Sequence, residues 1–134
     1  MKDDVFALCD LIRETAYAIH VFLGHGHNEK VYVNALTHRL QKQGVSVLRE
    51  YPSEVFDEDG TQLGTFQADM FIDNRLIVEI KAANENHDEH TAQLLGYLRS
   101  SNVQHGMLIN FGTYRFFIKK FIFSKDHPKP EIIP

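Results

Sequence analysis

Cysteine is almost absent: Cys9 stands alone among 134 residues. No internal disulfide can form, which suits a reducing compartment. Long apolar runs are missing too, and none approaches the roughly 20 residues that a membrane-crossing helix needs. The opening Met1-Lys2-Asp3-Asp4 lacks the basic start and apolar stretch of a secretory signal, so a cytoplasmic location with no membrane contact is the expectation. Positive charge is in short supply, with 14 Lys and Arg against 18 Asp and Glu and a net charge of −4. Binding to nucleic acid without sequence preference rests on neutralising phosphates, so this balance counts against a strong general grip. The cations are unevenly placed, however. Arg115, Lys119, Lys120, Lys125 and Lys129 all fall in the last twenty residues, leaving room for a local basic face. There is no glycine-rich phosphate loop, no GxSxG elbow, no internal repeat and no low-complexity tract.

What is present reads as globular: 43% of residues are hydrophobic and 24% charged. The length suits one domain over residues 1–134, with 124–134 an extended or frayed tail rich in proline. Val5, Leu8, Cys9, Ile12, Ala16, Ile19 and Leu23 recur at helical spacing, and Gly24-His25-Gly26 breaks the pattern. Asn28 can cap a second helix running to about Gln43, with Val31, Ala35, Leu36 and Leu40 as its apolar stripe. Strand chemistry follows at Val45–Tyr51, Glu54–Phe56, Gly64–Ile72 and Leu76–Lys81. A third helix is expected over Asp88–Ser101, with Leu94, Leu95 and Leu98 inward, and two more strands over Gly106–Asn110 and Tyr114–Phe123. Val5, Phe22, Phe66, Phe71, Phe116, Phe117 and Phe121 read as core or sheet packing. The order predicts an α/β (α+β) domain, a mixed central sheet flanked by helices.

The chemistry concentrates in Ile77-Val78-Glu79-Ile80-Lys81. Alternation along a strand puts Glu79 and Lys81 on one face and Val78 and Ile80 on the other. An acid and a base on an otherwise apolar strand suit either a solvated face with a structural ion pair or a working site. Asp69 lies ten residues earlier, across a hairpin. If Asp73-Asn74-Arg75 form the loop, Asp69 faces Glu79 at roughly 5 Å between Cβ atoms. Two carboxylates so placed repel unless a proton or cation lies between them. A hard cation such as Mg2+, or Mn2+ in its place, takes one or two carboxylates plus water and phosphate. Lys81 on the same face can stabilise charge on an attacked phosphate. A two-residue turn would instead set Asp69 opposite Val78 and remove this geometry.

Asp69 followed by Glu79-Ile80-Lys81 resembles the D…(D/E)xK signature of the PD-(D/E)XK nuclease superfamily. Three further stretches strengthen the resemblance. Gly26-His27-Asn28-Glu29-Lys30-Val31-Tyr32 fits GxxExxY, the motif naming a family of small prokaryotic proteins assigned there. Gln93-Leu94-Leu95-Gly96-Tyr97 fits a QxxxY motif carried on the helix after the active-site hairpin. Leu108-Ile109-Asn110-Phe111-Gly112 resembles that family's late strand and turn. The resemblance implies a restriction-endonuclease-like core and a metal-dependent nuclease acting on DNA, less readily on RNA. It implies Asp69, Glu79 and the Ile80 carbonyl as metal ligands, Lys81 as the catalytic lysine and Glu29 as an assisting acid. Gln93 and Tyr97 would orient the site or touch the phosphate backbone. Gln67 departs from the pattern, which often carries a basic residue two before the aspartate. Of a different class is a catalytically silent nucleic-acid-binding or regulatory module that keeps the fold. A third reading is a subunit, or a homodimer, whose partner completes the nucleic-acid surface. The eight histidines include His25 with His27 and His87 with His90. A zinc site from these pairs ranks below ordinary loop and surface histidines, because zinc ligands cluster at motif spacing.

Overall fold

A capping residue starts each of the first two helices. In a computed structural model that describes residues 4–124 and the backbone of 127–133, Asp4 accepts a hydrogen bond from Ala7 N at 2.9 Å ahead of α1 (Val5–Leu23). Asn28 does the same for Val31 N at 3.3 Å ahead of α2 (Glu29–Lys42). Both side chains satisfy an amide that the first helical turn leaves without a partner. Three strands follow: β1 (Val47–Phe56), β2 (Gln62–Ile72) and β3 (Leu76–Lys81). Then come α3 (Asp88–Ser101), β4 (His105–Asn110), β5 (Phe117–Ser124) and β6 (His127–Ile133).

The six strands lie side by side in chain order. Only β3 and β4 run parallel, and every other neighbouring pair is antiparallel. A parallel pair needs a crossover, and α3 supplies it. Helices α1 and α2 cover one face, where Ile12, Ile19, Leu36 and Leu40 pack on Met70, Val78, Ile80 and Ile109. Helix α3 covers the other, where Leu94 and Leu98 pack on Ala68, Ile77, Leu108 and Phe121. Each such fully buried side chain contributes about 1.5–3 kcal/mol. β3 is buried on both faces along Leu76–Ile80, which explains its nearly unbroken apolar run.

Several expectations change. The two strands expected at Val45–Tyr51 and Glu54–Phe56 are one, β1, because Pro52 is tolerated on this edge of the sheet. The strand expected from Tyr114 begins only at Phe117, since Thr113 Oγ1 donates to Arg115 O at 2.6 Å and holds a turn there. The tail is extended, and it pairs with β5 rather than fraying; Lys125, Asp126, Pro134 and the side chain of Lys129 lie outside the described residues. Phe22 is 78% exposed and no part of the core. Lys120 belongs to no basic surface: it is buried, with its ammonium 3.4 Å from the Phe6 ring centroid.

The ends of β3 and β4 are locked together. Phe111 N donates to Lys81 O at 2.8 Å. The buried Asn110 side chain accepts at Oδ1 from Ala83 N at 3.1 Å and Gly112 N at 2.9 Å, and its Nδ2 donates to Asn86 Oδ1 at 2.9 Å. Gly112 passes so close that a Cβ there would lie 2.6 Å from Ala83 N. Backbone cannot rotate aside as a side chain can. Gly112→Ala is therefore expected to lower stability by about 2 kcal/mol or more, read as a drop in the urea midpoint with the slope unchanged. An unaltered midpoint would mean that the two loops part freely.

Candidate active site

The hairpin between β2 and β3 pairs Ile72 with Leu76, Phe71 with Ile77 and Met70 with Val78. That register needs an odd loop, and Asp73-Asn74-Arg75 is one. Asp73 and Asn74 hold φ of 55° and 57°, a conformation these residues tolerate better than most. Carried one pair further, the register sets Asp69 opposite Glu79, the arrangement that the sequence suggested.

At that pair the backbone ladder stops. Asp69 Oδ2 accepts from Ile80 N at 2.7 Å, and Asp69 N donates to Glu79 Oε1 at 3.2 Å. Each carboxylate thus stands in for a ladder carbonyl of its own strand, accepting from an amide of the other. On the far side of Asp69, the pairing with β1 also lapses, because Glu50 adopts φ of 51° between Arg49–Met70 and Tyr51–Ala68. Side-chain alternation slips at the same point: Ala68 and Phe71 both pack under α3, whereas Met70 and Ile72 pack under α1 and α2. Asp69 sits where the sheet opens.

Glu79 is only 5% exposed. Burial first, then the neighbouring charge of Asp69, push its pKa up to about 8, against a smaller opposing pull from Lys81. Lys81 Nζ donates to Gln93 Oε1 at 3.2 Å, and Gln93 Nε2 donates to Tyr97 Oη at 2.9 Å. The Tyr97 ring in turn stacks on Phe66, with centroids 3.8 Å apart and planes 2° from parallel. Helix α3 therefore steers the ammonium through an i, i+4 pair. Glu29 arrives from the other layer at the start of α2. Burial raises its pKa, Lys81 lowers it and Asp69 raises it, so it stands within electrostatic reach of both. Asp69, Glu79, Lys81, Glu29, Gln93 and Tyr97 gather at one end of β3. At Ile80 it is the amide that Asp69 engages.

A family model of the PD-(D/E)XK nuclease superfamily matches residues 7–121, which span every one of these groups. The chain belongs to the PD-(D/E)XK nuclease superfamily. Comparison with curated proteins gave no match. Among solved structures, the crystal structure of SSO0001 is similar, with a TM-score of 0.55 and 21% identity. The likeness covers 78% of this chain and 52% of that one, so this chain spans about half the length of its structural relative. At that identity the likeness is one of fold.

Within this nuclease-superfamily fold, some supporting groups escaped sequence reasoning. Tyr32 is fully buried and stacked on Phe111 at 4.6 Å. Its hydroxyl donates to Gly24 O at 2.6 Å and accepts from His27 N at 3.2 Å, which pins the loop that delivers Glu29. The sequence offered only the motif letter. His90, set aside as a surface residue, has its pKa lowered by burial and then by Lys81, which places it beside the site. Lys30 and Arg49 line one open pocket with Glu29, Glu50 and Asp69. They come from separate elements, so spacing could not reveal them.

The raised Glu79 pKa has a signed consequence for stability. Between about pH 4.5 and 8 the folded state keeps the Glu79 proton while the unfolded state has lost it. Stability from this group is complete below that window and falls as pH rises through it, by at most about 1.4 kcal/mol per pH unit. Glu79→Gln should flatten the fall in metal-free buffer, measured as the difference in unfolding free energy between the two proteins from pH 5 to 9. Parallel curves for wild type and variant would show that Glu79 ionises freely.

Proposed function

We propose that this protein is a divalent-metal-dependent nuclease that hydrolyses phosphodiester bonds, in DNA rather than RNA, at the Asp69–Glu79–Lys81 site. The observation that carries this reading is the buried Glu79 carboxyl held against Asp69 at a break in the sheet. A buried acid pair is stable only with a proton or a cation between its members. All the donors are oxygens, the preference of Mg2+ or Mn2+. Among the described residues no set of three or more His, Cys, Asp and Glu is arranged to hold a metal. A Mg2+ site does not need one, since that ion keeps several waters and takes substrate phosphate as well.

Asp69 and Glu79 each use one oxygen on the neighbouring strand, and the second oxygen of each, with the Ile80 carbonyl, would hold the ion. When bound, the ion would polarise the phosphate and lower the pKa of a water. The chain's own groups do the rest. Lys81, fixed by Gln93 and Tyr97, places a positive charge where the attacked phosphate gains negative charge. Water attacks phosphorus, the bond to the leaving oxygen breaks and that oxygen takes a proton from solvent, and Glu29 would accept the attacking water's proton, since burial raises its proton affinity. Lys30 and Arg49 supply the phosphate grip that Gln67 does not.

The alternative of a silent binding module draws on the same hydrogen bonds, because both acids also serve as structural acceptors. Lys81→Ala separates the two. It should leave the thermal melt unchanged, as Lys81 is only half-buried, and reduce Mg2+-dependent cleavage of plasmid and oligonucleotide DNA at least a hundredfold. Cleavage by neither would favour the silent module, and equal cleavage by both would put the activity in a different site or a contaminant. In the same assay Arg49→Ala should raise KM several-fold with little change in kcat, because a contact made equally to substrate and transition state acts on binding alone. A loss confined to kcat would take Arg49 out of substrate binding.

A further inference from the structure

The turn between β4 and β5 carries Tyr114, whose side chain is 83% exposed. Such exposure is ordinary for a polar residue and unusual for a large ring on a tightly held turn. Thr113 Oγ1 donates to Arg115 O at 2.6 Å, and His20 Nε2 lies 2.9 Å from Thr113 O. Phe111 N ties the base of the turn to Lys81 O at 2.8 Å. The ring is steadied from one side only: His25 meets it nearly perpendicular, at 80° and 6.1 Å between centroids. His25 belongs to the loop that Tyr32 pins and that leads into Glu29. Tyr114 thus stands between the loop that follows Lys81 and the loop that precedes Glu29, on the rim of the candidate site. The turn from Phe111 to Phe116 contains one cation, the exposed Arg115, and no acid.

We propose that Tyr114 is a base-stacking contact for an unpaired nucleotide of the strand entering the site, with Arg115 beside it for the adjoining phosphate. Resting on the nuclease reading above, it names the substrate as single-stranded or frayed nucleic acid. A ring so exposed, with one aromatic neighbour at a steep angle, leaves a π-face for stacking, and an unpaired base offers a full face in return, whereas bases inside a duplex are stacked on their own neighbours. Stacking also suits an acidic protein, because it adds affinity that phosphate neutralisation alone does not supply here.

The chain contains no tryptophan, so Tyr114→Trp places a single reporter at the turn. In a Lys81→Ala background, which keeps the substrate whole, titration with a dT oligonucleotide is expected to quench this fluorescence saturably. A blunt duplex of equal phosphate number should leave it little changed. Gln104→Trp, exposed at the opposite end of β4 from the Tyr114 turn, should be quenched by neither. In the otherwise native chain, Tyr114→Ala should weaken single-strand binding about tenfold, the scale of one lost stacked base, and Tyr114→Phe should preserve it. Equal quenching by duplex and single strand, or no effect of Tyr114→Ala, overturns the proposal. So does a concentration-dependent dimer that Tyr114→Ala abolishes while oligonucleotide binding stays the same, since the ring would then serve a second copy. Quenching is read without turnover. If it occurs while the wild type cleaves nothing, the stacking contact stands and catalysis falls. If the wild type cleaves and the reporter is silent, catalysis stands and the contact falls.

Discussion

Two carboxylates replace two rungs of a sheet. Where β2 and β3 would continue their ladder, Asp69 accepts from Ile80 N and Glu79 accepts from Asp69 N. Backbone amides inside a protein must find acceptors, so the strands can part at this point only because side chains take over that duty. The opening leaves room beside an acid pair at the centre of the fold. It also explains why a glutamate can be buried on a strand whose other residues are hydrophobic: its surroundings supply a hydrogen-bond donor, a nearby ammonium and a proton held to unusually high pH. Remove the opening, and Glu79 would be an unpaired buried acid, among the most costly of substitutions in a core.

Around that opening, three elements each bring one function from a different direction. The start of α2 presents Glu29 through a loop fixed by the Tyr32 hydroxyl. α3 reaches back to Lys81 through Gln93. The edge strand β1 contributes Arg49 next to its irregular Glu50. These groups come from separate elements, so the site is a convergence of ends rather than a feature of one segment. A positive φ at a bulky acidic residue such as Glu50 is uncommon, and such strain concentrates at functional sites.

Much of this was legible in the sequence, for reasons that are local. Asn28 announces the start of α2 because capping depends on a single side chain, and that helix begins within a residue of the expectation; the matching role of Asp4 ahead of α1 emerged only from the structure. The odd loop at Asp73-Asn74-Arg75 fixed the Asp69–Glu79 register because side-chain period two leaves no intermediate choice. What failed was long-range. Whether Pro52 ends a strand depends on whether that strand lies at an edge, which the order of strands decides. Whether Phe22 is buried depends on where the other helices lie. Arg49 and His90 reach the site only after the chain has folded, and nothing in their neighbours marks them. The asparagine at 110 looked like the end of a strand; its role as the clasp of two loops depends on Ala83 and Asn86, more than twenty residues away.

The parallel pairing of β3 with β4 obliges the chain to return across the sheet through a helix, and that helix carries Gln93. The residue that steers the lysine therefore rides on a connection that topology requires in any case. Between Lys81 and the start of α3 at Asp88 there are only six residues. The helix phase that aims Gln93 at Lys81 also turns Leu94 and Leu98 into the core, so a link length that rotated the helix by one residue, roughly 100°, would cost both contacts while leaving every strand pair in place. The length of this short link acts as a phase setting between scaffold and chemistry. Insertions there, unlike those at the outer hairpins, would disturb function and stability together.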